Sequence, residues 1–127
     1  MTPPFLVGIT GATGVIYGIE ILRALKRLGQ PAHLIISEMG ARTLALETDI
    51  AAAEVRGLAE QVYSNRDLAA AVASGSFRTR GMVIAPCSVK TLSGIANCFS
   101  LNLILRAADV TLKERRPLVL VFRETPL

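Results

Sequence analysis

The stretch GITGATGVIYG, residues 8–18, decides the fold of this chain. An apolar run at 5–7 precedes it, and apolar residues at helical spacing follow from 15 to 28. Glycines between a buried strand and a helix let the backbone approach a phosphate, and the helix start offers N–H groups and a partial positive charge. The pattern therefore predicts a strand over 5–10, a glycine turn suited to phosphate, and a helix over 15–28.

The same alternation of short apolar strands and helices continues along the chain. Strands are predicted over 32–36, 82–85 and 118–122, helices over 39–47, 51–62, 88–96 and 102–113, and an irregular stretch over 63–80. Such alternation indicates a parallel sheet covered on both faces. We expect a single α/β domain over 1–127, an open Rossmann-like three-layer α/β/α fold with a mostly parallel sheet. Because no helix follows the last strand, we expect either that a partner chain completes the fold or that this is the front part of a longer protein, with C-terminal elements of the fold missing.

Composition and charge exclude several function classes. The net charge is +4, but aromatic residues are only 5% of the chain, which argues against a nucleic-acid surface. No apolar run is long enough to span a membrane, and no secretory signal is visible. The two cysteines have no metal-ligand spacing, and His33 is the only histidine, so we expect no metal site and no histidine-based triad. A cytoplasmic location is the default, and His33 is interpreted as structural.

Polar and charged residues stand where the predicted strands end. Ligands of open α/β sheets bind beyond the carboxyl ends of the strands. The segments at those ends are 10–14 after the first strand, 37–38 after the second, 86–91 after the third and 123–124 after the fourth. We therefore expect them to converge on one ligand site.

The glycine turn alone leaves the ligand open between a dinucleotide, a flavin mononucleotide and none. TGATG, residues 10–14, also resembles the start of extended short-chain dehydrogenases, which bind NAD(P). Those enzymes pair a tyrosine with a lysine four residues later, and neither Tyr17 nor Tyr63 is followed by that lysine. In the segment 85–91, Ser88 is interpreted equally well as a helix N-cap and as a cofactor contact.

Five segments, in order along the chain, resemble the flavin prenyltransferase family. They are GITGATGVIYG, LIIS, ALETD, ASGSFRTRGMVIAPCSVKTLSGIA and RAADVTLKERRPLVLVFRETPL. The family was formerly called aromatic or phenylacrylic acid decarboxylases and belongs to the flavin-binding cysteine decarboxylase-like flavoproteins. Its members join a dimethylallyl group from dimethylallyl phosphate to reduced FMN. The resemblance implies that this chain is the N-terminal part of such a protein.

The resemblance also implies the residues of the site. The implied FMN contacts are Gly11, Ala12, Thr13, Ser37, Ser88, Val89, Lys90, Thr91 and Arg123. Arg106, Lys113 and Arg123 would bind the substrate phosphate, and Thr13, Glu47 and Glu124 would take part in catalysis. Cations aimed at a leaving phosphate stabilise the charge that it develops. The sequence holds no aspartate-rich magnesium motif, which agrees with a route that needs no metal.

Further implications concern partners and departures from the family pattern. The resemblance implies a homo-oligomer, a dodecamer in the family, and a functional link through prenylated FMN to a partner decarboxylase of ubiquinone-related metabolism. Cys98 and Leu101 stand where the family leads us to expect glycine and an acidic or amide residue. An FMN-binding module without transferase activity is the alternative, and an NAD(P)-binding dehydrogenase-like domain is a weaker one.

Overall fold

The structure is a computed structural model that describes residues 2–122. Strands and helices alternate along most of its length, with one 3₁₀ turn. The elements are β1 (Phe5–Ile9), α1 (Val15–Arg27), β2 (Ala32–Ile36), α2 (Glu38–Glu47), α3 (Ala52–Arg56), β3 (Gln61–Ser64), a 3₁₀ turn (Ala71–Ala73), β4 (Met82–Cys87), α4 (Val89–Ala96), α5 (Leu103–Lys113) and β5 (Leu118–Phe122). None of the helices within 2–122 is long and apolar enough to cross a membrane.

The five strands form one parallel sheet in the order β3-β2-β1-β4-β5. Strands β2 and β3 lie on one side of β1, and after a crossover β4 and β5 lie on the other side. The strand order thus reverses between β1 and β4, and a crevice opens at such a point beyond the carboxyl ends of the strands. The predicted α/β fold with a parallel sheet is confirmed.

Alternate residues of the strands face two separate apolar layers. On one face, β1 and β2 pack against the buried side of α1. On the other face, β1 and β4 pack against the buried side of α5, where Leu103 and Ile104 are almost completely inaccessible. Burying such a side chain contributes roughly 1.5–3 kcal/mol, so both helices are held firmly against the sheet. Their positions fix where the first turn of each helix stands relative to the strand ends.

The predicted helix over 51–62 is wrong. It ends at Arg56, and the following residues form β3, which pairs in parallel with β2 from His33–Gln61 to Ile36–Ser64. The Ala-rich start favours a helix, but Val62 and Tyr63 suit a strand, and pairing with β2 satisfies their backbone groups. Pairing with the edge of β2 therefore outweighs the local helix propensity of this segment.

The other boundaries differ from the predicted ones by small amounts. The third predicted strand extends to Cys87, with an irregular pairing between Ile84 and Cys87 against β5. Ser88 and Asn102 are N-caps outside their helices rather than first helical residues. Cys98, which replaces an expected glycine, has φ 57°, the left-handed region in which glycine is free of strain.

His33 lies in the sheet, away from the crevice. Its Nδ1 atom is 3.0 Å from the hydroxyl of Tyr63 on the neighbouring strand, and its ring lies beside Phe77. Burial lowers the pKa of His33 below its ordinary value, with Glu60 acting in the opposite direction. These contacts agree with the structural interpretation of this histidine.

Candidate functional site

The glycine turn between β1 and α1 requires glycine at two positions. A Cβ atom added to Gly11 would lie 2.5 Å from Cβ of Met39, so the backbone of α2 approaches the turn too closely for any side chain. Gly14 is the N-cap of α1 and has φ 104°, which L-residues rarely adopt. No side chain among the described residues caps this helix. The first turn of α1 therefore presents N–H groups and the positive end of the helix dipole.

Helix α2 holds the glycine turn from one side. The hydroxyl of Thr43 donates a hydrogen bond to the carbonyl of Gly11 at 3.0 Å. One helical turn later, Oε1 of Glu47 accepts a hydrogen bond from the N–H of Gly14 at 3.1 Å. The carboxylate of Glu47 thus lies at the start of α1, where a negative charge is favoured. Both ends of the turn are tied to a single rigid element.

The start of α4 is organised around Ser88. Its Oγ accepts a hydrogen bond from the N–H of Thr91 at 3.2 Å and lies 2.9 Å from the hydroxyl of that threonine. The N-cap interpretation of Ser88 is therefore confirmed, and a contact with a cofactor remains a prediction. The hydroxyl of Thr10, which follows β1, joins this segment to the glycine turn through the N–H of Ser88 at 3.0 Å.

The start of α5 is capped by two asparagines. The carbonyl and the side-chain Oδ1 of Asn65 accept hydrogen bonds from the N–H groups of Leu103 and Ile104, at 2.9 and 2.8 Å. Oδ1 of Asn102 accepts one from the N–H of Leu105 at 2.9 Å. The first N–H groups of α5 are therefore used within the fold.

These segments surround one cavity of about 590 Å³ beyond the carboxyl ends of β1, β2 and β4. It lies where the strand order reverses, and its volume is in the range of small-molecule sites. The segments 10–14, 37–38 and 86–91, which are predicted to converge and lie within the described residues, each contribute polar groups to its lining. The predicted site residues that line it are Gly11, Ser37, Ser88, Lys90 and Thr91.

Other predicted residues lie near the cavity without lining it. Ala12 and Thr13 are in the glycine turn, with the Thr13 side chain exposed, and Val89 is exposed in the first turn of α4. Glu47 contacts the turn from α2, as described above. Arg106 is exposed in the first turns of α5. Arg123 and Glu124 lie outside the described residues.

Lys113 is not brought to this cavity. It is the last residue of α5, and its Nζ lies 3.9 Å from Oδ2 of Asp109, one turn earlier on the same helix. The seven residues from Arg106 to Lys113 correspond to about 10 Å along a helix axis. Since α5 begins at the cavity, Lys113 lies at the far end of the helix. Among residues 2–122, Arg106 and Lys113, two of the three predicted phosphate-binding cations, are therefore not brought together at one point.

Several residues of the site were not predicted from the sequence, and three of them make long-range hydrogen bonds. Asn65 lines the cavity and caps α5, Thr10 lines it from the end of β1, and Thr43 binds the glycine turn. Thr10 lay inside a segment that was predicted to converge, but its bonds span 76 and 78 residues. Asn65 falls in the predicted irregular stretch over 63–80, because the sequence does not predict β3 before it. Sequence spacing carries no signal for such long-range partners.

Cys87, at the end of β4, does not add a reactive thiol to the site. Burial raises the pKa of the Cys87 thiol to about 11, so this side chain stays protonated near neutral pH. Within 2–122, no group of three or more histidine, cysteine, aspartate or glutamate side chains is placed to hold a metal ion. The polar groups available at the cavity are backbone N–H groups, hydroxyls, amides and the charged side chains of Lys90, Glu38 and Arg66.

A glycine turn at an open helix start, beside a second polar helix start, is an arrangement that suits a phosphorylated cofactor. The family model described as Flavoprotein matches residues 2–127. The chain belongs to the Flavoprotein family.

Within the Flavoprotein family, the relatives of this chain include flavin prenyltransferases. Flavin prenyltransferase UbiX of Thauera aromatica is 57% identical over 122 residues, which are 96% of this chain and 63% of that protein. This chain therefore spans less than two thirds of that relative.

Two crystal structures superpose closely on this member of the Flavoprotein family. AnUbiX (PadA1), in complex with FMN and dimethylallyl pyrophosphate, has a TM-score of 0.97 at 50% identity, covering 100% of this chain and 68% of that one. A dodecameric FMN-dependent Ubix-like decarboxylase from Escherichia coli O157:H7 has a TM-score of 0.94 at 47% identity, covering 98% and 68%.

Proposed function

We propose that this chain is the flavin-binding part of a flavin prenyltransferase. The enzyme joins a dimethylallyl group from dimethylallyl phosphate to reduced FMN, and prenylated FMN then serves a partner decarboxylase. The observation that carries the proposal is the uncapped start of α1, held by α2 and placed beside the Ser88–Thr91 segment at the same crevice. The relatives named UbiX and the solved complex with FMN support it.

The residues present fit FMN. The absence of a side chain at Gly11 lets α2 pack directly against the turn, and Gly14 is followed by a helix start without a side-chain cap. Residues 11–13 would hold the phosphate. A second group of residues would contact the ribityl chain and the ring through its hydroxyls and its ammonium. This group is Ser37, Ser88, Val89, Lys90 and Thr91. When bound, reduced FMN supplies the nucleophilic ring atoms to which the prenyl group is joined.

The acidic and basic residues have separate proposed tasks. Arg106, Lys113 and Arg123 stabilise the negative charge on the leaving phosphate. Glu47 and Glu124 hold or move protons, and the Thr13 hydroxyl donates to phosphate. The contact of the Glu47 carboxylate with the N–H of Gly14, at 3.1 Å, supports a role for Glu47 beside the glycine turn.

The position of Lys113 at the far end of α5 favours an oligomeric site. A cation about 10 Å along the helix from Arg106 serves a prenyl phosphate more readily at the crevice of a neighbouring copy than at its own. The dodecameric relative from Escherichia coli supports a homo-oligomer. We propose such an assembly for the whole protein, in the cytoplasm.

The proposal is tested by flavin binding and by product mass. The purified chain is expected to bind FMN with quenching of flavin fluorescence. Reduced FMN incubated anaerobically with the chain and dimethylallyl phosphate is expected to gain the mass of one prenyl unit. A parallel reaction with dimethylallyl pyrophosphate distinguishes the two donors.

The outcomes separate the candidate functions. Bound FMN without a mass shift with either donor favours the FMN-binding module, which is the second candidate because the chain spans 63% of the Thauera relative. Failure to bind FMN contradicts both flavin functions. Binding of NADH that is lost in Gly11→Ala would instead support the dehydrogenase-like alternative.

A further inference from the structure

Thr10 makes an unusual pair of hydrogen bonds at the junction of the two cofactor segments. It is 3% exposed and directly follows β1. Its hydroxyl donates to the carbonyl of Pro86 at 2.6 Å and accepts from the N–H of Ser88 at 3.0 Å. One buried hydroxyl therefore uses both its donor and an acceptor site. Its two partners lie at the junction of β4 and α4, since Pro86 is near the end of β4 and Ser88 is the N-cap of α4.

These bonds stand where the sheet ladder no longer joins the two segments. The register between β1 and β4 runs from Leu6–Met82 to Gly8–Ile84. Beyond Ile84 the pairing of β4 with β5 is also irregular, up to Cys87. Thr10 continues the connection between the two segments in place of regular pairing. Besides the two bonds of its hydroxyl, its backbone N–H donates to the carbonyl of Pro86 at 3.3 Å. The hydroxyl fixes Ser88, which in turn caps α4.

We infer that Thr10 is a positioning residue of the site, an inference that rests on the proposed binding of FMN. It sets the separation between the glycine turn, which takes the phosphate, and the Ser88–Thr91 segment, which takes the rest of the flavin. A ligand that reaches both segments gains from both only when this separation is right. Loss of the hydroxyl therefore reduces the cooperation of the two segments as well as the affinity of each.

A second threonine that is buried among residues 2–122 provides a matched control. Thr111 is 1% exposed, and its hydroxyl donates at 2.7 Å to the carbonyl of Ala107, one turn earlier on α5. Its bond is local to one helix and touches neither cofactor segment. Thr111→Val removes a buried hydroxyl in the same way as Thr10→Val does, without changing the separation of the two segments.

The test compares the affinities of FMN and riboflavin, which differ by the phosphate, in the full chain. Thr10→Val is expected to weaken FMN binding by about tenfold or more, the loss typical of a hydrogen-bonding partner worth about 1.4 kcal/mol. The ratio of the riboflavin Kd to the FMN Kd is expected to fall toward one. Thr10→Ser is expected to keep the ratio of the unchanged chain, and so is Thr111→Val.

Each outcome decides the inference. An unchanged ratio of the two Kd values in folded Thr10→Val overturns the inference. A purely structural role of Thr10 would lower the stability of the chain without changing how much the phosphate adds to the affinity for the flavin. If Thr10→Val does not fold, Thr10→Cys, whose thiol is a weak donor and acceptor, replaces it, and an unchanged ratio there overturns the inference equally. Failure of the unchanged chain to bind FMN contradicts the proposed function instead.

Discussion

Two helices begin at the same edge of the sheet, and their first turns are treated in opposite ways. Helix α1 begins at Gly14 with no side-chain cap among the described residues. Helix α5 begins with three N–H groups bonded to Asn65 and Asn102. Both helices pack firmly on the sheet, so the difference does not come from how well each is buried.

The two helix starts differ in how readily they accommodate an anion. A helix start attracts phosphate through free N–H groups as well as through its dipole. At α5 the asparagines already accept those hydrogen bonds, so a phosphate there would have to displace them. At α1 the Thr43 hydroxyl bonds a carbonyl of the turn rather than an N–H, and the Glu47 carboxylate takes the N–H of the N-cap Gly14. The proposed phosphate site is therefore α1, whereas α5 is stabilised from within the fold.

The largest effect is expected from Gly11→Ala, which adds a side chain where α2 lies against the glycine turn. The added Cβ would lie 2.5 Å from Met39 Cβ, so α2 must shift and its bond from Thr43 to Gly11 must lengthen. We expect the free energy of unfolding to fall by about 1–3 kcal/mol. We also expect FMN affinity to fall by about tenfold or more, since 1.4 kcal/mol corresponds to tenfold. Urea denaturation and fluorescence titration measure the two effects.

Gly57→Ala is the matched control for that substitution. Gly57 has φ −66°, and an added Cβ would lie 3.4 Å from its nearest neighbour, which is ordinary contact. We expect this variant to bind FMN normally and to be as stable as the unchanged chain, or more stable by roughly 0.4–1 kcal/mol. Equal FMN affinity in both alanine variants would contradict the role assigned to the α1 turn.

The next effect is expected from Asn65→Ala, which removes a cap of α5. The N–H of Ile104 loses its partner at 2.8 Å in a partly buried position. We expect a loss of about 1–2 kcal/mol in the free energy of unfolding, as for helix caps and unpaired N–H groups. Asn97→Ala, on the exposed end of α4, is expected to change it by less than about 0.5 kcal/mol. Equal stability of the two variants would show that the α5 cap contributes nothing.

The smallest effect on stability is expected from Thr13→Val in the α1 turn. The side chain of Thr13 is exposed, so we expect the free energy of unfolding to change by less than about 0.5 kcal/mol. If the hydroxyl donates to the FMN phosphate, affinity falls by about tenfold or more, because hydrogen bonds to charged groups contribute about 1.5–3 kcal/mol. Thr13→Ser is expected to restore the affinity. Unchanged FMN affinity in the valine variant would place the phosphate elsewhere.

Much of the fold was predictable because its signals are local. The apolar runs at β1, β2, β4 and β5 and the helical spacing of α1 and α5 are visible in the sequence and are confirmed. The strand β3 was not predictable, because Gln61–Ser64 has weak alternation and becomes a strand by pairing with the edge of β2. Missing β3 also concealed Asn65, which owes its position to the end of that strand.

The sequence by itself determined the alternation of strands and helices and the glycine turn at Gly11 and Gly14, because each depends on neighbours within a few residues. Only the tertiary structure decided which helix start is open and which is closed. Thr43, Asn65 and Thr10 reach partners more than 30 residues away along the chain. Such partners meet only after the sheet has assembled, because its strand order brings the ends of β1, β2, β3 and β4 to one edge.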